Sequence, residues 1–131
     1  MKHLFAAFLF LLLHTATAQT QAEMNGQAYA AYQQADKELN EVYRRILKEY
    51  KADVTFIQDL KASQRIWISF RDAELNMLYP EREVGYYGSV HAICRADYLE
   101  QLTCERLEKL KRWLTGTVGE DVCSGSIKAT N

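Results

Sequence analysis

One proline, Pro80, and six glycines, at positions 26, 85, 88, 116, 119 and 125, are all the backbone breakers in this chain. Residues 27–79 and 89–115 therefore run free of both. A glycine costs a helix interior about 1 kcal/mol and a proline about 3, so long runs without either favour helices over strands and turns. From about Glu23 to Tyr50 the positions Tyr29, Tyr32, Ala35, Leu39, Val42, Tyr43, Ile46, Leu47 and Tyr50 recur at helical spacing with charges between them. A break at Lys51-Ala52-Asp53 follows, with Asp53 placed to cap a second helix that carries Phe56, Leu60, Trp67, Phe70 and Leu78 and ends before Pro80. Ser89 is placed to cap a third, with the stripe Val90, Ile93, Cys94, Leu99, Leu102, Leu107, Leu110 and Leu114. The expected fold is all-α, an up-down-up bundle of three main helices.

The first eighteen residues are expected to leave the mature chain. Lys2 supplies a positive start, Leu4 to Leu13 is an unbroken apolar run, and Ala16-Thr17-Ala18 offers small residues for cleavage before Gln19. This is the pattern of a secretory signal peptide, shorter than the about 20 apolar residues of a membrane span. Removing it changes the formal net charge from −1 to −2, because Lys2 is its only charge. So even a balance argues against nucleic acid as a partner. No cysteine sits at the start of the mature chain, so a lipid anchor is not expected. Residues 19–114 form the expected helical domain, and 115–131 a Gly/Ser/Thr-rich tail with little to bury.

The three cysteines, Cys94, Cys104 and Cys123, are bound for an oxidising compartment and allow one disulfide with one thiol left over. On one helix Cys94 and Cys104 would be about 15 Å apart, too far to bridge. Cys104 with Cys123 is the easier pair, since the residues from Thr115 to Cys123 can span roughly 30 Å on the way back. The alternatives are Cys94 with Cys123, three free thiols, or a dimer through Cys94.

The stretch Gln64 to Asp72 is unusual because Gln64, Trp67 and Arg71 share one helical stripe. Buried amides and guanidinium groups need partners, and Asp36, Asn40 and Tyr43 stand at matching spacing on the preceding helix. If the two helices form an antiparallel hairpin turning near residue 52, Asn40 and Gln64 are equidistant from the turn and Asp36 falls within a turn of Arg71. An Asp36–Arg71 ion pair and an Asn40–Gln64 amide pair, covered by Trp67, would make a buried polar network that fixes register. Such a network needs no ligand to explain it; the alternative is that the same groups line a cleft for a peptide or glycan.

Ala35-Asp36, Leu39-Asn40, Tyr43, Gln64, Trp67, Arg71-Asp72, Tyr87-Gly88-Ser89, Cys94, Leu102-Thr103, Arg106 and Leu110 together resemble the LprI-like lysozyme inhibitor family. The likeness covers roughly Glu23 to Leu114, and the combination is more specific than any of its pieces. It implies a small exported bacterial helical domain, periplasmic or secreted, whose partner is a protein and which binds and blocks lysozyme. The chain also departs from the pattern. Gln27 and Leu75 stand where members commonly have cysteine, Cys104 and Cys123 look like additions, and Cys94 lacks its usual partner, so no disulfide carries over.

Catalysis has little to work with. His91 is the one histidine beyond residue 18, no spacing suits a metal or an activated nucleophile, and no Gly-x-Ser-x-Gly occurs. The expectation is no enzyme and no cofactor. For a lysozyme inhibitor, the connection Pro80 to Ser89 is the candidate partner-binding loop, since a groove bearing carboxylates is plugged by donors and ring faces of the kind that Arg82, Tyr86, Tyr87, Ser89 and His91 supply. The alternative function is a periplasmic helical adaptor or an immunity-type protein that binds another bacterial protein.

Overall fold

The computed structural model describes residues 2–119 and 121–130, with side chains described from Thr20 onward. Three helices account for most of it: α1 (Lys2–Glu49), α2 (Val54–Leu78) and α3 (His91–Thr115). They are followed by a two-residue strand β1 (Thr117–Val118), a 3-10 turn at Val122–Ser124, and a second short strand β2 (Ala129–Thr130).

α1 starts well before the expected Glu23. The apolar run and the alanines that follow it are good helix formers, and Gly26 stands in open space where its missing side chain costs no packing. The expected cleavage point before Gln19 falls inside this helix, in a part whose side chains lie outside the described residues. α1 ends at Glu49, and the backbone N–H of Asp53 bonds the Tyr50 carbonyl to make the turn. Asp53 then caps α2, its Oδ1 accepting from the Phe56 N–H at 3.0 Å. α2 ends two residues short of Pro80, as its missing donor and the restriction it places on Tyr79 require. Ser89 does not cap α3. A positive φ at Gly88 turns the chain so that the His91 N–H bonds the Gly88 carbonyl, and Val90 occupies the cap position without a side-chain bond.

Cross-helix bonds fix the directions. Tyr50 reaches the end of α3 at Trp113, so α1 and α3 run parallel, while Phe56 stacks on Trp113 and Tyr98 bonds Glu74, so α2 runs opposite to α3. The bundle is up-down-up. Its most extensive backbone contact joins α1 to α3, not the consecutive α1 and α2. Small side chains explain this: Ala35, Ala96 and Thr103 are buried between them and let the backbones approach. Thr103 is fully buried because its hydroxyl bonds the Leu99 carbonyl one turn back, at 2.6 Å. α2 instead points Phe56, Leu60, Gln64, Trp67 and Arg71 inward, and these longer groups hold it farther off.

The core consists of Leu39, Val42, Ile46, Tyr50, Leu60, Leu107 and Leu110, with Tyr43, Phe56, Trp67 and Trp113 packed around it. Each of its aliphatic side chains contributes about 1.5–3 kcal/mol by burial. Phe70, Leu78 and Val90, expected on the inner stripes, are exposed.

The tail is not a loose end. Gly116 takes φ 76°, and a Cβ there would meet the Lys128 carbonyl oxygen at 2.7 Å, so the chain turns back against itself only with glycine at this position. β1 and β2 pair in parallel, Ile127 is buried, and the Lys128 N–H donates to the Tyr50 hydroxyl at 3.3 Å. This path takes Cys123 into an exposed turn beyond the end of α3. Neither the expected Cys104–Cys123 bridge nor the Cys94–Cys123 alternative forms, and all three thiols are free. Cys104 sits more than two turns inside α3, where burial raises its pKa, with Glu100, Glu38 and Glu108 adding to the effect.

Candidate functional site

Three regions gather polar side chains, and each is positioned by a different part of the fold. The first is the network on the inner face of α2. Arg71 is largely buried; its Nη1 lies 3.9 Å from Asp36 Oδ1 and donates to the Tyr32 hydroxyl at 3.3 Å, while Nε and Nη2 both donate to Asp72 Oδ1, at 2.9 and 2.7 Å. Burial pushes the Tyr32 phenol above its ordinary pKa, with the Arg71 charge opposing.

The rest of the network differs from expectation. Asn40 is exposed, because it lies off the Leu39–Val42–Ile46 stripe, and its Nδ2 donates back along α1 to Asp36 Oδ2 at 3.0 Å and to the Asp36 carbonyl at 2.8 Å. The buried Gln64 does not meet it. Gln64 Oε1 accepts from Arg106 Nε of α3 at 3.1 Å, and Arg106 Nη2 donates to Ser63 Oγ at 3.0 Å. A guanidinium is the stronger donor, and α3 passes closer to this face than Asn40 can reach. Trp67 lies between the two cations, with guanidinium carbons 5.5 Å (Arg71) and 6.0 Å (Arg106) from its ring. Tyr43 packs against the core cluster. Arg106 is the member that counting across one hairpin misses: Gln64 and Arg106 are equidistant from residue 85, in the α2–α3 connection. Burial lowers its pKa, yet it stays a cation, bonded on two sides.

The second region is the α2–α3 connection. Two turns shape it, with Tyr86 N–H bonding the Glu83 carbonyl and Gly88 N–H bonding the Gly85 carbonyl; both glycines have positive φ. Tyr79, Tyr87 and His91 form a stack, His91 lying 4.4 Å from Tyr87 at 26° and 5.1 Å from Tyr79. Tyr86 packs edge-on against Tyr87 at 4.9 Å, and the Tyr87 hydroxyl donates to the Pro80 carbonyl at 2.7 Å. Outside this stack Tyr86 is 63% exposed, with the Arg82 guanidinium 5.9 Å from its ring. Ser89 is exposed at the last turn. His91 Nε2 is buried without a hydrogen-bond partner, so His91 serves the stack rather than the surface. Beside these side chains is a concavity of about 370 Å³ that also touches Asn76 and Arg95.

The third region was not anticipated. A groove of about 490 Å³ runs between α2, α3 and the folded tail, with Phe56, Leu60, Leu110 and Trp113 as its floor. The signal for it lay in Trp113 and Tyr50, whose polar atoms need partners that only the tail and helix ends supply. Among the described residues, no three metal-ligating side chains come together, and no helix is long and apolar enough to cross a membrane.

Compared with known families, residues 14–110, well over half of the chain, match the family model described as lysozyme inhibitor LprI. No curated protein and no solved structure matches the chain.

Proposed function

The chain belongs to the LprI lysozyme inhibitor family, and we propose that it inhibits lysozyme by seating the α2–α3 connection in the enzyme's groove. The observation that carries this reading is the aromatic stack of Tyr79, Tyr87 and His91, which holds Tyr86 and Arg82 outward at one end of the bundle. A lysozyme groove carries a general acid and a second carboxylate. A guanidinium and a phenol held ready beside an exposed ring meet such a surface with little ordering cost. With a net charge near −2, long-range attraction to a basic enzyme is slight, so contact chemistry carries the affinity. In this reading residues 1–18 direct export and are removed, and the mature protein works in the periplasm or outside the cell.

Turbidity assays against several lysozyme types test it. Wild-type protein is expected to slow lysis by at least one type, and Tyr86→Ala with Tyr87→Ala to weaken that inhibition by about tenfold or more while the helical circular dichroism persists. Undiminished inhibition moves the site away from the loop, and failure against every lysozyme sinks the reading.

The adaptor reading has one observation in its favour: Ile66, Phe70 and Met77 leave an exposed apolar stripe on α2, away from the core. A bacterial partner whose capture is lost with Phe70→Lys, in a protein without inhibitory activity, would transfer the function there.

A further inference from the structure

The groove at the tail end of the bundle has a charge imbalance that its own side chains leave open. Its floor is aromatic and fixed: Trp113 Nε1 donates to Ser126 Oγ at 3.0 Å, and the Phe56 ring lies 6.2 Å from Trp113 at 30°. Its rim is acidic. Asp53 spends one carboxylate oxygen on the α2 cap, and Asp59, one and a half turns on, is exposed and makes no ion pair among the described residues. Among the described residues of the lining the one cation is Arg106, which donates to the neutral Gln64 and Ser63 and so keeps its charge against the two carboxylates. With two carboxylates against one guanidinium, the lining keeps a net charge of −1 above its aromatic floor.

The chain itself shows what this set of rings accepts. Tyr50 lies 4.8 Å from Phe56 and is the inner neighbour of the floor, and Lys128 from the tail places its ammonium 4.2 Å from the Tyr50 ring centroid. The same stack continues to Phe56 and Trp113, where the groove is open.

We propose that this groove binds a lysine or arginine side chain presented by a peptide segment of a partner protein. Its charged head sits at Asp53 and Asp59 and its aliphatic stem on Phe56 and Trp113. The site is at the opposite end of the bundle from the α2–α3 connection, so it stands whether or not the protein inhibits lysozyme. A neutral saccharide would use the rings but gain nothing from the net negative rim, so the cation is the better fit.

Titration of the isotope-labelled full-length mature protein with a tetralysine peptide tests this by nuclear magnetic resonance. The Trp113 indole N–H and the amides of Asp59 and Ser63 are expected to shift, with affinity falling as salt is raised. Asp53→Asn with Asp59→Asn is expected to raise Kd by about tenfold, a loss that two exposed charges can supply together. Asparagine caps a helix as well as aspartate does, so this variant keeps α2 intact. Equal binding of tetraglutamate, unchanged tetralysine affinity in the double variant, shifts confined to the α2–α3 connection, or a response to chitotetraose with none to tetralysine would each overturn the proposal.

Discussion

At the tail end of the bundle the Tyr50 hydroxyl joins three segments far apart in the chain, donating to the Trp113 carbonyl at 2.9 Å and accepting from the Lys128 N–H. At the other end Tyr79, Tyr86, Tyr87 and His91 stack around a single connection, and the Tyr87 hydroxyl donates to the Pro80 carbonyl within it. Both ends are aromatic. The first is held by long-range bonds, so disturbing it disturbs the fold. The second is held by its own neighbours, so its outer residues are free to vary or to bind while the bundle stays intact.

The comparison is broken or sharpened by substitutions at each end. Leu110→Ala, in the core beneath the tail, is expected to have the largest effect, about 2–5 kcal/mol in denaturant unfolding. A loss under about 1 kcal/mol would deny that this end carries the stability. Tyr50→Phe keeps the ring but leaves the Trp113 carbonyl and Lys128 N–H without their partner. It is expected to cost about 1–3 kcal/mol, with hydrogen-exchange protection falling across the tail and unchanged in the α2–α3 connection. Tyr87→Phe removes one bond within the loop and should cost least, about 0.5–1.5 kcal/mol by thermal melting. If it costs more than Tyr50→Phe, the contrast between the ends is reversed.

Much of the fold was legible because its signals are local. Asp53 caps α2, and Pro80 stops it, with no help from the rest of the molecule. What depends on several elements at once was not legible. Counting residues about the first turn brings Asp36 within a turn of Arg71, but it cannot see that α3 supplies Arg106 to Gln64. The tail has few apolar residues, and composition alone makes it look unanchored. Its docking rests on one buried isoleucine, Ile127, and on polar atoms of Tyr50 and Trp113 that seemed to belong to the bundle. The cysteine count was limited in the same way, since where the tail goes decides where Cys123 lies, and in this structure it lies away from the other two thiols. In the candidate loop, sequence singled out His91 as a donor, whereas stacking on Tyr87 leaves its Nε2 buried and turns the ring into a support.

The close seam between α1 and α3 bears on when this protein folds. Its outermost bond, Tyr50 to Trp113, spans 63 positions of chain. Until α3 has been made, Leu39 and Ile46 lack the surface that buries them, and α1 with α2 forms only the looser pair. High separation between contacting residues delays folding and penalises partial products. The seam that completes the bundle cannot close before α3 has been synthesised.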